Sequence, residues 1–207
     1  MVVGFHLQEY GLLRHRSGMK AAIPPLPREL APVLRRAYFD CRFGQLHVHQ
    51  AIPPGGGFDE RTTLLCLPGP RASAAVFQPL LGPLGSDRSV FAIDAPGAGQ
   101  SDPAPTDDSS ALAAATLDFL QNMRIRRAHV LADGAAAPAV AEVLAQGEGR
   151  ITRVALCGAS PASHLRLGSH GVSLCVLAPT VAELAAASPA AQGQRLRLRE
   201  FLDSAAQ

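Results

Sequence analysis

Short apolar runs alternate with alanine-rich stretches along the chain from residue 62 onward. The apolar runs have the length of buried strands, and the alanine-rich stretches carry apolar residues at helical spacing. The predicted strands are Thr63–Leu67, Ser89–Asp94, Ala128–Ala132, Arg153–Cys157 and Val172–Leu177. The predicted helices are Ala74–Leu84, Ser110–Met123, Ala135–Gln146, Val181–Ala187 and Leu196–Ala205. This alternation favours an α/β fold in three layers, with helices on both faces of a mostly parallel sheet.

The first sixty residues follow a different pattern. Residues 1–27 end in a proline-rich stretch that favours an extended arm, and the spacing of apolar residues predicts a short helix over 28–36. Two extended runs, 37–43 and 45–51, flank a glycine and predict a β-hairpin. We therefore divide the chain into an N-terminal arm with a short helix, residues 1–36, and a single domain, residues 37–207.

Two histidines lie two residues apart in the second strand of the predicted hairpin. His47 and His49 alternate with apolar residues, so their side chains point to the same face of the strand. Such a pair could bind a metal ion, but no third ligand is evident from the sequence. We interpret the pair as part of a solvated strand face and expect no metal site.

Composition and charge exclude several classes of protein. The chain is 47% hydrophobic and 17% charged, which is typical of one globular domain. A net charge of +2, no Trp and two Tyr argue against nucleic-acid binding. Every apolar stretch is interrupted before the roughly 20 residues that span a membrane, and the N-terminus lacks a signal-peptide pattern. We expect a cytoplasmic protein without membrane contact, whose four widely spaced cysteines are reduced thiols.

Three stretches of the chain carry a recognisable motif pattern: Tyr38–Val48, Leu64–Gly69 and Ile93–Asp102. The most specific of them reads Asp-x-Pro-Gly-x-Gly-x-Ser-Asp after a predicted strand. Over roughly residues 37–160 the chain thereby resembles the α/β-hydrolase superfamily. The glycines permit a tight turn beside the site. This stretch is not a dinucleotide-binding fingerprint, because Asp102 replaces the last glycine and the strand comes late in the chain. We expect no nicotinamide or other cofactor.

The resemblance implies a catalytic nucleophile on a sharp turn between a strand and a helix. In this chain that turn is Ala132-Asp133-Gly134-Ala135-Ala136, and Gly134 stands at the nucleophile position. Glycine has no side chain to attack a substrate, but it adopts a positive φ without penalty. We therefore expect the strained turn to persist while the nucleophile is lost.

The resemblance also implies an oxyanion hole made of two backbone N–H groups. Ala135 is expected to supply the first, but the second falls on Pro70, which has no N–H. The predicted lining of the crevice, and the candidate small-molecule site, consists of Pro68, Gly69, Pro70, Gly134 and Ala135.

The catalytic base of the family is expected after the last strands, near the C-terminus. The histidines that follow Gly134 are His164 and His170, and both precede the last predicted strand. Glu183 is the carboxylate nearest to the position of the family's acid, and we interpret it as part of a solvated helix face. The site is thus expected to lack a base as well as a nucleophile.

Chain length bears on the end of the sheet. Only 30 residues follow Leu177, whereas two helices, an eighth strand and their connections need about 40. We expect no eighth strand, and no lid in the 14 residues from 158 to 171. Strand 172–177 is then a free apolar edge, which either the two C-terminal helices or a second copy of the chain must cover. We favour the second copy, which predicts a homodimer through this strand.

Three functions stay open at this point. We expect a non-catalytic α/β-hydrolase-like protein with a degenerate site that binds a small molecule or a protein. An alternative is an active, esterase-like hydrolase with displaced catalytic residues, for which the candidates are Asp133, Ser101, or Ser160 with His164. A third is an interaction protein that uses its surface and its proline-rich arm.

Overall fold

A computed structural model describes residues 31–56, 61–106, 108–160, 167, 170 and 172–204. Within these residues, one sheet contains the strands β1 (Val33–Cys41), β2 (Gly44–Ile52), β3 (Thr63–Leu67), β4 (Val90–Ile93), β5 (Ala128–Asp133), β6 (Ile151–Cys157) and β7 (Ser173–Leu177). The strand order is β1-β2-β4-β3-β5-β6-β7. The pairs β1–β2 and β2–β4 are antiparallel, and the other pairs are parallel. The predicted α/β class with a mostly parallel sheet is confirmed.

Helices cover both faces of this sheet. Those described in full are α1 (Gln78–Leu84), α2 (Ser109–Asn122), α3 (Ala137–Gln146), α4 (Val181–Ala185) and α5 (Pro189–Asp203). One apolar cluster joins a face of the sheet to α2 and α3, and a second joins the other face to α1, α4 and α5. Short 3-10 turns, Ala74–Phe77 and Gly134–Ala136, precede α1 and α3. The three predicted layers are therefore present, and α5 begins seven residues earlier than the sequence pattern indicated.

Polar side chains set where several helices begin. The carboxylate of Asp108 accepts from the N–H groups of Ser110 and Ala111 at the start of α2. Thr180 and Glu183 form a reciprocal capping box at the start of α4. Hydrogen bonds from the Thr180 N–H and hydroxyl lower the pKa of Glu183, which is exposed. Glu183 therefore belongs to a helix cap on the surface, as expected.

The predicted helix over residues 28–36 is wrong in its second half. Val33–Arg36 belong to β1, and residues 28–30 lie outside the described residues. The hairpin is longer than predicted, because the pairing extends to Val33 opposite Ile52. Hydrogen bonds from β2 thus outweigh a local spacing that suits a helix. The sheet begins four residues before the predicted domain boundary at residue 37.

The sheet ends at β7 on one side. β7 pairs with β6 alone, and no eighth strand lies beside it in the described part of the chain. The region expected to lack a lid is described only at residues 158–160, 167 and 170.

No helix among the described residues has both the length and the apolar character needed to cross a membrane.

Two buried arginines anchor the C-terminal end of α5 to the sheet. Arg88 is 2% exposed and donates to the carboxylate of Asp203, which also accepts from Arg61 at 2.6 Å. Arg153 is 5% exposed and donates to the carbonyl oxygens of Phe201 and Ser204. The last carbonyl groups of α5 are thereby paired with a cation, as the helix dipole favours.

The buried ring of His129 in β5 makes the stability of the fold depend on pH. Its pKa is lowered to about 4, because the ring is buried and lies near the guanidinium groups of Arg153 and Arg88. Between about pH 6.5 and pH 4 the unfolded chain binds a proton that the folded chain does not, so stability falls as pH falls through this window.

We expect urea midpoints to decrease from pH 7 to pH 4, and His129→Gln to flatten this decrease. A residual slope is expected from His49, whose pKa is lowered by burial and by His47. An unchanged slope in His129→Gln would contradict the prediction.

Candidate functional site

The loops after β3 and β5 meet at the carboxyl ends of these strands. Gly69, in the loop after β3, lies so close to the turn after β5 that an added Cβ would stand 3.1 Å from the Cβ of Ala135. Pro68 and Gly69 are buried, and Pro70 is half-buried. Parallel α/β sheets commonly bind ligands at this edge. The structure thus brings the predicted crevice residues of the two loops together.

Gly134 is needed for space rather than for its φ. Its backbone is not among those with positive φ, so the expected strained turn is wrong. The chain instead continues into the 3-10 turn Gly134–Ala136. A Cβ on Gly134 would stand 2.7 Å from the Cα of Ala159 and 2.8 Å from the carbonyl oxygen of Gly158. The backbone after β6 therefore occupies the volume in which a nucleophilic side chain would begin.

Neither expected oxyanion donor is available in this arrangement. The N–H of Ala135 donates to Oδ1 of Asp133 at 2.9 Å. Asp133 thereby caps the 3-10 turn. Pro70 has no N–H to offer. The crevice consequently contains no pair of free N–H groups at the positions that the family uses.

The displaced candidates are arranged as follows. Oγ of Ser101 accepts from the N–H of His47 at 2.9 Å and donates to the carbonyl oxygen of Asp94 at 3.2 Å, so this side chain joins two strands. Ser160 is exposed just after the loop that covers Gly134. His164 lies outside the described residues, so its pairing with Ser160 stays a prediction. His170 is exposed.

Asp94, at the start of the glycine-rich segment, is a buried hydrogen-bond hub. Its carboxylate accepts from Nδ1 of His47 at 2.7 Å, from the Ser73 hydroxyl at 2.8 Å, and from the N–H groups of Ala74 and Gln100. Burial alone would raise the pKa of Asp94, but these hydrogen bonds outweigh it and lower that pKa. Asp94 is therefore a charged acceptor that ties β4 to β2.

Gly99 is required by this hub. Its φ is +58°, and an added Cβ would stand 2.0 Å from Oδ2 of Asp94. The glycine-rich segment thus wraps closely around a structural carboxylate. Its positive φ and its close approach explain why the motif needs glycine here.

The interpretation of His47 and His49 as a solvated face is wrong. Their exposures are 2% and 6%. The ring of Tyr38 lies 5.2 Å from that of His47, and the amide of Gln78 lies 3.2 Å from Nδ1 of His49. Alternation along β2 predicts which residues share a face, but it does not predict that α1 and its preceding turn cover that face.

The third group of this cluster was also missed from the sequence. One ligand atom from each of His47, His49 and Asp94 lies within 4.8 Å of the others. The pairing of β2 with β4 brings this carboxylate to the histidines. Val48 lies opposite Ile93, so the next residue, Asp94, lies beside His47. Sequence reasoning paired β2 with β1 alone and so did not find this carboxylate.

No protein-family model matches this sequence. No curated protein matches it with significant similarity. Solved structures do resemble it. They include the carboxylesterase CesB from Bacillus subtilis, with 19% identity and a TM-score of 0.51 over 64% of this chain and 48% of the esterase. The N-acyl homoserine lactonase AidH gives 23% identity and a TM-score of 0.54 over 62% of this chain and 46% of the lactonase.

A third similar structure is the enol-lactonase from Burkholderia xenovorans, with 20% identity and a TM-score of 0.52 over 60% of this chain and 47% of the lactonase. The chain thus spans less than half the length of each of these three enzymes. Together with the strand order, these similarities show that the chain has an α/β-hydrolase fold.

Proposed function

We propose that this chain is a non-catalytic protein of the α/β-hydrolase fold that acts by binding a small molecule or a protein. The observation that carries the proposal is the position of Gly158 and Ala159, whose backbone lies 2.7–2.9 Å from where a Cβ of residue 134 would be. A hydrolase of this fold needs a side chain there. Gly134 has no such side chain, and the loop after β6 leaves no room for one.

The state of the oxyanion donors supports the same proposal. Loss of one such donor typically costs about 3 kcal/mol of transition-state stabilisation. Here Pro70 has no N–H, and the N–H of Ala135 is already bonded to Asp133. Activity at this crevice would require a new nucleophile and two new donors.

The alternative of an active hydrolase places its chemistry on other residues. The carboxylate of Asp133 caps the turn, and Ser101 bridges His47 and Asp94, so both have structural partners. Turnover of p-nitrophenyl acyl esters tests this alternative. We expect wild type and Gly134→Ser to hydrolyse them at the rate of buffer, because the new serine would lack a base. Circular dichroism establishes that the variant is folded, and turnover well above buffer by either protein would contradict the proposal.

Two kinds of binding are compatible with the proposal. A ligand held in the crevice would contact the loop Pro68–Pro70 and the turn at Ala135, whereas a protein partner would bind elsewhere on the surface. Native mass spectrometry of purified material distinguishes a small retained mass from a second chain. The proposal places the protein in the cytoplasm, in keeping with four cysteines that are unpaired in the structure.

We further propose that β7 forms a two-fold homodimer by continuing the sheet. β7 is the terminal strand, Ser173 is exposed and Val176 is 42% exposed. The strand carries no charged residue, and uncharged free edges favour pairing with another strand. We expect light scattering to give a dimer for wild type and a monomer for the double variant Ser173→Lys and Cys175→Lys. A monomeric wild type at micromolar concentration would contradict the dimer.

A further inference from the structure

One buried nitrogen in the cluster around Asp94 has no partner. Among the described residues, Nε2 of His47 is the one buried side-chain nitrogen or oxygen without a hydrogen bond. The charged carboxylate of Asp94 can only accept, so Nδ1 of His47 carries a hydrogen, and in the neutral ring Nε2 then carries a lone pair. Leaving such an acceptor buried and unpaired destabilises the folded chain. The space beside Nε2 of His47 therefore favours a group that accepts a lone pair, such as a metal ion.

His49 offers a second imidazole at a suitable distance. The two ring centroids are 4.7 Å apart. Two imidazoles that share one tetrahedral zinc ion, through bonds of about 2.0–2.1 Å, place their centroids about 5 Å apart. The amide nitrogen of Gln78 donates to Nδ1 of His49 at 3.2 Å. When the amide of Gln78 is turned so that its oxygen accepts from Nδ1–H instead, Nε2 of His49 carries the lone pair that a metal ion needs. The two histidines thus have nearly the spacing of a shared metal ion.

The hydrogen bond from His47 to Asp94 completes a pattern typical of metal sites. A metal-bound histidine usually donates its other ring N–H to a carboxylate or a carbonyl, which fixes its tautomer and orientation. Asp94 already accepts four hydrogen bonds, so it orients His47 and is not itself a ligand. A cavity of about 520 Å³ borders His49 and Gln78, so solvent reaches the His49 side of the cluster.

We propose that His47 and His49 bind one divalent transition-metal ion of the zinc class through their Nε2 atoms, with Asp94 as the group that positions His47. Imidazole ligands suit zinc, copper and nickel, and do not suit magnesium or calcium. The site uses no residue of the Pro68–Pro70 loop or of the Gly134 turn. It is therefore independent of the proposed loss of catalysis.

Titration calorimetry of the full chain with Zn²⁺, after removal of metal by EDTA and dialysis, tests the site. We expect one ion per chain, and we expect His49→Gln to weaken its affinity at least about 10-fold. His170→Gln is the matched control, because His170 is exposed and lies outside the cluster, and it should bind as wild type does. Co²⁺ should give the visible absorption of tetrahedral nitrogen coordination in wild type and lose it in His49→Gln.

The same titration can contradict the proposal. Absence of Zn²⁺ binding by wild type would mean that Nε2 of His47 faces a buried water instead. Equal affinity in wild type and His49→Gln would place the ion elsewhere. His49→Gln is preferred to a change at His47, because His49 contacts the exposed Gln78 and not the Asp94 hub.

Arg36 provides a second variant with the opposite expectation. It lies opposite His49 in the β1–β2 pairing, and its positive charge disfavours a cation at this site. Arg36→Gln should therefore tighten Zn²⁺ binding, by roughly tenfold for a divalent ion about 6 Å from the guanidinium in a water-like medium. Weaker binding in Arg36→Gln would contradict a cation site beside His49.

Discussion

Replacing Gly134 by alanine is expected to lower the free energy of unfolding by about 1–3 kcal/mol, and replacing it by valine by more. The added Cβ would stand 2.7 Å from the Cα of Ala159 and 2.9 Å from its nitrogen, so backbone and not a flexible side chain would have to move. The cause is overpacking against the loop after β6, since the φ of Gly134 is not positive. Urea unfolding of wild type and both variants measures the effect.

Gly193→Ala is the matched control for this prediction. Gly193 lies within α5, and an added Cβ there meets nothing within 4 Å. Alanine in an open helical position should raise stability by about 0.5–1 kcal/mol. If Gly134→Ala were as stable as wild type, the loop of Gly158 and Ala159 could not lie over Gly134.

Replacing Asp203 by alanine is expected to lower the free energy of unfolding by about 3 kcal/mol, because it leaves the buried guanidinium of Arg88 without its main partner. Asp203 binds both Arg88 and Arg61, and Asp87 remains as a weaker contact to Arg88 at 3.3 Å. Burial alone would raise the pKa of Asp203, but hydrogen bonds and charge from both arginines outweigh it and lower that pKa. Wild type therefore loses this contribution as pH falls below the ordinary range of aspartate.

Glu200→Ala is the control for Asp203→Ala. Glu200 also lies in α5 but is exposed, so its removal should change stability by less than about 0.5 kcal/mol. Equal stabilities of the two variants would mean that Asp203 does not hold the end of α5 against Arg88. Thermal or urea unfolding at neutral pH distinguishes the outcomes.

The strands of the parallel sheet were predictable because strands buried on both faces appear in the sequence as short continuous apolar runs. Thr63–Leu67 was predicted with its observed bounds, and Val172–Leu177 was predicted one residue longer than β7. The segment Val33–Arg36 was not predictable in this way, since its local spacing suits a helix and its strand pairing comes from β2. Local patterns fail where pairing with another strand supplies the hydrogen bonds.

The sequence predicts which chemical groups the candidate site lacks, but not how closely its loops pack. The missing side chain at Gly134, the missing N–H at Pro70 and the cap at Asp133 follow from residue type and position. The contact between Gly134 and Ala159 depends on how the loop after β6 folds back, which no local pattern indicates. The burial of His47 and His49 likewise depends on α1 and its preceding turn packing over a polar strand face.

Covalent labelling tests most directly whether this α/β-hydrolase fold lacks a working nucleophile. The purified full chain is incubated with a serine-reactive fluorophosphonate, and its intact mass is measured, with an active esterase of the same fold as positive control. We expect the mass of the chain to stay unchanged while the esterase gains one adduct. A stoichiometric adduct on this chain, mapped to Ser101 or Ser160, would contradict the proposal that the protein is non-catalytic.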